Sequence, residues 1–104
     1  MILGPSGQNI YPEEVETVIN NQPYVVDSLV IEDNGGLTAL IYPDFAQGAR
    51  DGMKQEAMVK YIEGTLSELN KELPNYAKLK KIEVMSEDFE RTPKKSIKRY
   101  LYQR

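Results

Sequence analysis

Tyr24-Val25-Val26-Asp27-Ser28-Leu29-Val30-Ile31, the turn Asp33-Asn34-Gly35-Gly36, and Leu37-Thr38-Ala39-Leu40-Ile41-Tyr42-Pro43 decide the fold. The first run is rich in β-branched residues and reads as a largely buried strand. Asn and Gly tolerate positive φ, so Asp33 to Gly36 reads as a tight reversal. The second run returns as the partner strand and is closed by Pro43. An antiparallel hairpin therefore lies at the centre of the chain.

On its N-terminal side, Pro12 suits the first turn of a helix, and Glu13 and Glu14 favour the positive end of its dipole. Val15, Val18 and Ile19 give that helix an apolar stripe, and it should stop near Asn20–Asn21, before Pro23. On the C-terminal side, residues 44–52 are polar with two glycines and read as a surface loop. From about Met53 to Leu73 the apolar spacing of three and four predicts one amphipathic helix of about five turns, ended by Pro74. Gly64 sits inside it at a cost of about 1 kcal/mol relative to Ala, which burial of the stripe can exceed.

Leu79, Ile82 and Val84 suggest a third strand, with Lys80, Lys81 and Glu83 partly outward. Thr92-Pro93 has the form of an N-cap followed by proline, opening a last helix with Ile97, Tyr100 and Leu101 on a narrow apolar face. The expected class is α+β: a small, three-stranded, mainly antiparallel sheet with packed helices, in one domain over residues 1–104.

Composition narrows the chemistry. The chain has 104 residues, 40% hydrophobic and 28% charged, which suits a folded body rather than a disordered one. There is no cysteine and no histidine, so thiolate zinc sites, cysteine nucleophiles and Ser-His-Asp triads are excluded. No Asp-x-Asp spacing of the calcium-loop kind occurs, and no metal site is expected. No apolar run reaches the roughly 18 residues of a membrane span, and Met1-Ile2-Leu3-Gly4-Pro5 lacks the form of a secretory signal. The lack of cysteine suits the cytoplasm.

Charge is unevenly spread. Residues 1–90 hold sixteen acids and seven bases; residues 91–104 hold six bases and no acid. A basic tail suits an anionic partner, and equally a solvated terminal helix. Tyr100 and Tyr102 interleave with Lys98, Arg99 and Arg104, but the acidic body argues against a nucleic-acid binder. At the other end, Gly4-Pro5-Ser6-Gly7 can bring backbone N–H groups near a ligand, or serve as an exposed turn. Lys94 and Lys95 would oppose the dipole in the first turn of the last helix, so they mark either a site or a solvated surface.

Gly7-Gln8-Asn9-Ile10-Tyr11-Pro12-Glu13-Glu14-Val15-Glu16 and Thr92-Pro93-Lys94-Lys95-Ser96-Ile97-Lys98-Arg99 together resemble the opening and closing motifs of one domain. It is the small C-terminal domain of the adenylate-forming ligases, the acyl-CoA synthetase superfamily. The Thr-Pro opening and the Lys-Arg-Tyr-Leu-Tyr ending lean toward the long-chain fatty-acid branch. The resemblance covers nearly the whole chain.

It implies a mobile lid on a large N-terminal adenylation domain that binds ATP, with its Mg2+, and the fatty acid. In one pose a lysine of the closing motif stabilises charge as the acyl-adenylate forms. In the other, the loop of Gly7, Gln8 and Asn9 lines the channel for coenzyme A. Lys98 and Arg99 are supporting bases. Counting four from Thr92 lands on Ser96 where the family carries lysine, so Lys95 is the nearest stand-in. One residue turns a helical side chain by about 100°, so that substitution requires local irregularity.

The family's hinge residue would lie upstream of Met1, so a truncated piece of a cytoplasmic ligase, inactive alone, is expected; any membrane association would be peripheral and through the intact enzyme. A carrier-protein-loading adenylation domain and a stand-alone anion or nucleic-acid module are the alternatives.

Overall fold

Asn34 and Gly35 both take positive φ, 52° and 79°, so the chain reverses in two residues and Asp33 pairs with Gly36. This is the primed turn whose twist matches the flanking strands. The computed structural model describes residues 2–3, 7 and 9–103. The turn joins β3 (Val25–Asp33) to β4 (Gly36–Pro43) in antiparallel register. Before them come β1 (Ile2–Leu3), β2 (Asn9–Ile10) and α1 (Pro12–Asn20), with β1 and β2 forming a separate two-stranded ladder.

Beyond β4 the expected loop is instead a helix, α2 (Phe45–Arg50), whose N-cap Asp44 accepts a hydrogen bond from the Gln47 amide at 2.9 Å. The expected five-turn helix is two helices, α3 (Gln55–Glu63) and α4 (Leu66–Glu72). Gly64 caps α3, and the Thr65 hydroxyl donates to the Ile62 carbonyl at 2.6 Å. A glycine beside a threonine that takes a helical carbonyl is a recognised cause of a break.

β5 (Leu79–Val84) runs parallel to β4, so the sheet of order β3-β4-β5 is mixed, with one antiparallel and one parallel pair. The connection from Pro43 to Leu79 carries three α-helices and a 3-10 turn at Asn75–Ala77, which lets the strand return in the same direction. A register shift at Leu37/Thr38 sets Leu79 and Ile82, three residues apart, on the same buried face. Lys80 and Lys81 both stay exposed.

Both faces of the sheet are covered. Val30, Ala39 and Ile41 pack under α1, α3 and α4 through Val15, Ile19, Met58, Ile62 and Leu69. On the other face Leu29, Ile31 and Leu40 pack against Phe89, Ile97 and Tyr102 from the C-terminal segment. Each fully buried Val, Leu, Ile, Met or Phe side chain among them contributes about 1.5–3 kcal/mol. β3 is thus buried on both sides, as its nearly continuous apolar run requires.

Candidate functional site

Residues 91–103 do not form the expected helix. Arg91 and Ile97 make an antiparallel bridge, and the Thr92 amide donates to the Ser96 carbonyl at 2.8 Å. Lys95 N–H donates to Thr92 O at 2.8 Å, and Ser96 N–H to Thr92 Oγ1 at 3.3 Å. Residues 92–96 therefore close a hairpin loop with Lys94, Lys95 and Ser96 exposed at its tip. Only Arg99–Leu101 winds, as one 3-10 turn. Ile97 and Tyr102 pack on the sheet, while Tyr100 and Leu101, expected on an apolar face, are 71% and 48% exposed. With no helix there, no dipole opposes Lys94 and Lys95.

Lys95 has φ +67°, a left-handed conformation that costs a residue with a Cβ about 1–2 kcal/mol. The backbone irregularity in this loop thus sits at Lys95 itself. Ser96 follows it, exposed.

At the other motif, Gly7 has φ +82° with open space around it, so its conformation, not crowding, selects glycine. Asn9 is exposed on β2, paired with Leu3. Gln8 and the Gly4-Pro5-Ser6 turn lie outside the described residues.

What joins the motifs is Arg99. Its Nη1 donates to Glu16 Oε2 at 2.8 Å and its Nη2 to Glu16 Oε1 at 2.6 Å, with Glu13 Oε1 3.9 Å away. Glu16 is only 6% exposed, and its Oε2 also accepts the Val30 amide at 2.8 Å. Hydrogen bonding to Glu16 holds the guanidinium pKa above its ordinary value, against the opposite pull of burial.

A second clamp sits at the other end of the loop. Arg91 Nη2 reaches Asp88 Oδ1 at 3.1 Å and Asp27 Oδ2 of β3 at 2.8 Å, while Nη1 donates to the Lys95 carbonyl at 3.3 Å. Bonding to Asp27 first, and Asp88 next, raises the Arg91 pKa.

Arg99 and Gln103 border a groove of about 250 Å³ with Ile2, Pro12 and Val30. The site thus places exposed cations at residues 94–95 of one motif and an exposed, left-handed Gly7 in the other, on a common scaffold. Of the sequence-derived candidates, Arg99 meets the opening motif. Lys95 and Ser96 stand exposed at the tip of residues 92–96, and Lys98 is half-buried with its amide bonded to Glu90 O at 2.9 Å. No group of three or more Asp or Glu residues able to hold a metal occurs among the described residues.

Glu16 entered the sequence reading only as the last residue of the opening motif, and it, like Asp27 and Arg91, was given no function. For Glu16 the signal was there: the buried face of α1 is Pro12, Val15, Glu16 and Ile19, a complete i, i+3, i+4, i+7 stripe with an acid in it.

Over residues 1–104 the sequence matches the family described as AMP-binding enzyme C-terminal domain. No curated protein matches it. Among solved structures, a Mycobacterium tuberculosis fatty acyl CoA synthetase is similar at a TM-score of 0.63 and 25% identity, over 97% of this chain and 18% of that one. ATP-bound MatB from Rhodopseudomonas palustris gives 0.67 at 24% identity, over 97% and 18%. A Brucella canis acyl-CoA synthetase gives 0.69 at 20% identity, over 99% and 18%. The last two likenesses speak to the fold alone. The chain spans less than a fifth of the length of each.

Proposed function

Because this chain belongs to the family of AMP-binding enzyme C-terminal domains, we propose that it is the mobile lid of an ATP-dependent, AMP-forming fatty-acid–CoA ligase. The acid attacks ATP to give acyl-adenylate and pyrophosphate. The thiol of coenzyme A then displaces AMP to give the thioester. ATP with its magnesium, and the acid, belong to the N-terminal adenylation domain, and this chain supplies two loops in turn.

The observation that supports this reading is the exposed lysine tip at 94–95, fixed by Arg99 and Glu16 to the helix that follows Gly7. A mobile ammonium suits phosphoryl-oxygen charge and needs no proton transfer. Lys95 is the candidate for that group, with Ser96 where the family resemblance calls for lysine. Gly7, Gln8 and Asn9 are the candidates for the thiol channel. The fatty-acid class draws on the likeness to a fatty acyl CoA synthetase, and the long-chain preference on the Thr-Pro and Lys-Arg-Tyr-Leu-Tyr resemblance alone.

In the full-length protein that carries this chain, Lys95→Ala should slow acyl-adenylate formation about 100-fold. Thioester formation from supplied acyl-adenylate should survive. If neither half-reaction changes, Lys95 does not hold the role; if fatty acids of every length are refused while other acids react, the substrate class is wrong.

A further inference from the structure

Building on the ligase reading, we infer that Glu16 is a positioning residue for the lysine loop, acting through the fork of Arg99. The carboxylate is buried and has three donors: Nη1 and Nη2 of Arg99 and the amide of Val30. Val30 lies on β3, an outer strand of the sheet, and α1 is packed on that strand through Val15 and Ile19. Glu16 is therefore anchored by its own helix and by the sheet before Arg99 arrives.

Arg99 stands three residues after Ser96, just past the half-buried Lys98. Fixing its guanidinium fixes where the loop leaves the sheet, and Arg91 fixes where it starts. A bidentate pair sets orientation as well as distance, which a single charge contact does not. The tip between the two arginines stays exposed, so its direction depends on these two ends. Glu16 belongs to the motif that opens the domain, yet its carboxylate serves the loop that closes it.

The test has two arms. In the 104-residue chain, whose sheet is covered on both faces, Arg99→Lys keeps the charge and removes the fork. Amide exchange at Thr92 and Lys98, bonded to Ser96 O and Glu90 O, should quicken about ten-fold or more, while amides of Leu40 and Ile41 in β4 keep their rates. Glu16→Gln should do the same, and the double variant should be no worse than either single one. Thermal unfolding of each variant separates loss of the fold from loss of loop order. Unchanged exchange at Thr92 and Lys98, or additive effects in the double variant, would overturn the inference.

In the full-length protein, Arg99→Lys should lower kcat for acyl-adenylate formation about ten-fold with the KM for the acid unchanged. Thioester formation from supplied acyl-adenylate should hold. Equal losses in both half-reactions would mean general damage and would overturn the positioning role. If the unaltered protein forms no acyl-adenylate, the ligase reading fails, and amide exchange alone decides whether the pair orders the loop.

Discussion

Arg91 and Asp27, 64 positions apart in sequence, are joined at 2.8 Å between Nη2 and Oδ2. Each side chain is about a quarter exposed, at 28% and 24%, so the pair sits between a surface ion pair and a buried one. Arg91→Ala should cost about 1 kcal/mol, most of it from the loop start losing both Asp27 and the Lys95 carbonyl. Urea unfolding measures it, and a midpoint equal to the wild type would refute the clamp.

Gly48 is packed where no side chain fits. A Cβ there would come within 2.1 Å of Met58 Cε, and Met58 is 1% exposed. Gly48→Ala should therefore destabilise the chain by about 1–3 kcal/mol as Met58 is forced from its place. At Gly36 a Cβ meets Lys80 Cδ at 2.8 Å and Lys80 Cβ at 3.2 Å; the exposed end of that side chain can swing away, and the Cβ contact asks for a shift of a few tenths of an ångström only. Gly36→Ala should cost a few tenths of a kcal/mol at most for that contact. Thermal melts of the two variants give the contrast, and equal losses would contradict it.

Tyr24 holds φ +64°, with its carbonyl accepting the Asp44 amide at 2.8 Å and its hydroxyl donating to Asp51. That hydroxyl bond is the main cause that lowers the Asp51 pKa, with Gln47 second, and the same bond raises that of Tyr24. The lowered Asp51 carboxyl adds stability above its ordinary range and loses it as pH falls through the depressed value. The raised Tyr24 phenol adds stability below its ordinary value and loses it as pH rises through the folded one. Tyr24→Phe should flatten both limbs, and carbon-detected titration should show the Asp51 pKa moving up. No movement would remove the link.

At Lys95 the backbone and the proposed chemistry pull apart. Lys95→Gly relieves the positive φ and should stabilise the chain by about 0.5–1 kcal/mol, yet slow acyl-adenylate formation in the full-length protein. Ser96→Lys should raise that rate if position 96 points at the reacting phosphate. A Lys95→Gly protein that adenylates normally would return Lys95 to an ordinary surface residue.

The hairpin and α1 were legible because local chemistry and burial agree there: Asn34-Gly35 demands its turn, and Pro12 with two acids demands a helix start. The break at Gly64 was not, because the apolar spacing runs through it from Ile62 to Leu66 and Leu69. Asp44 was a readable cap for α2, masked by Gly48, whose absent side chain is a requirement of packing against Met58. The C-terminal segment misled for a different reason. Thr92-Pro93 looks like a cap, but Ile97 and Tyr102 are claimed by a sheet face that only the folded strands reveal. The two clamps span 64 and 83 positions, a distance that no sequence window sees, although the acid in the buried stripe of α1 announced that some cation would be needed.

Leu29, Ile31 and Leu40 find their cover in Phe89, Ile97 and Tyr102, which the ribosome makes after both strands of the hairpin. During synthesis one side of a finished hairpin waits, greasy and uncovered, until those residues clear the exit tunnel. A stop codon just before Phe89 would leave all five strands and all four α-helices of the described residues encoded and still yield a polypeptide destined for aggregates or for chaperones.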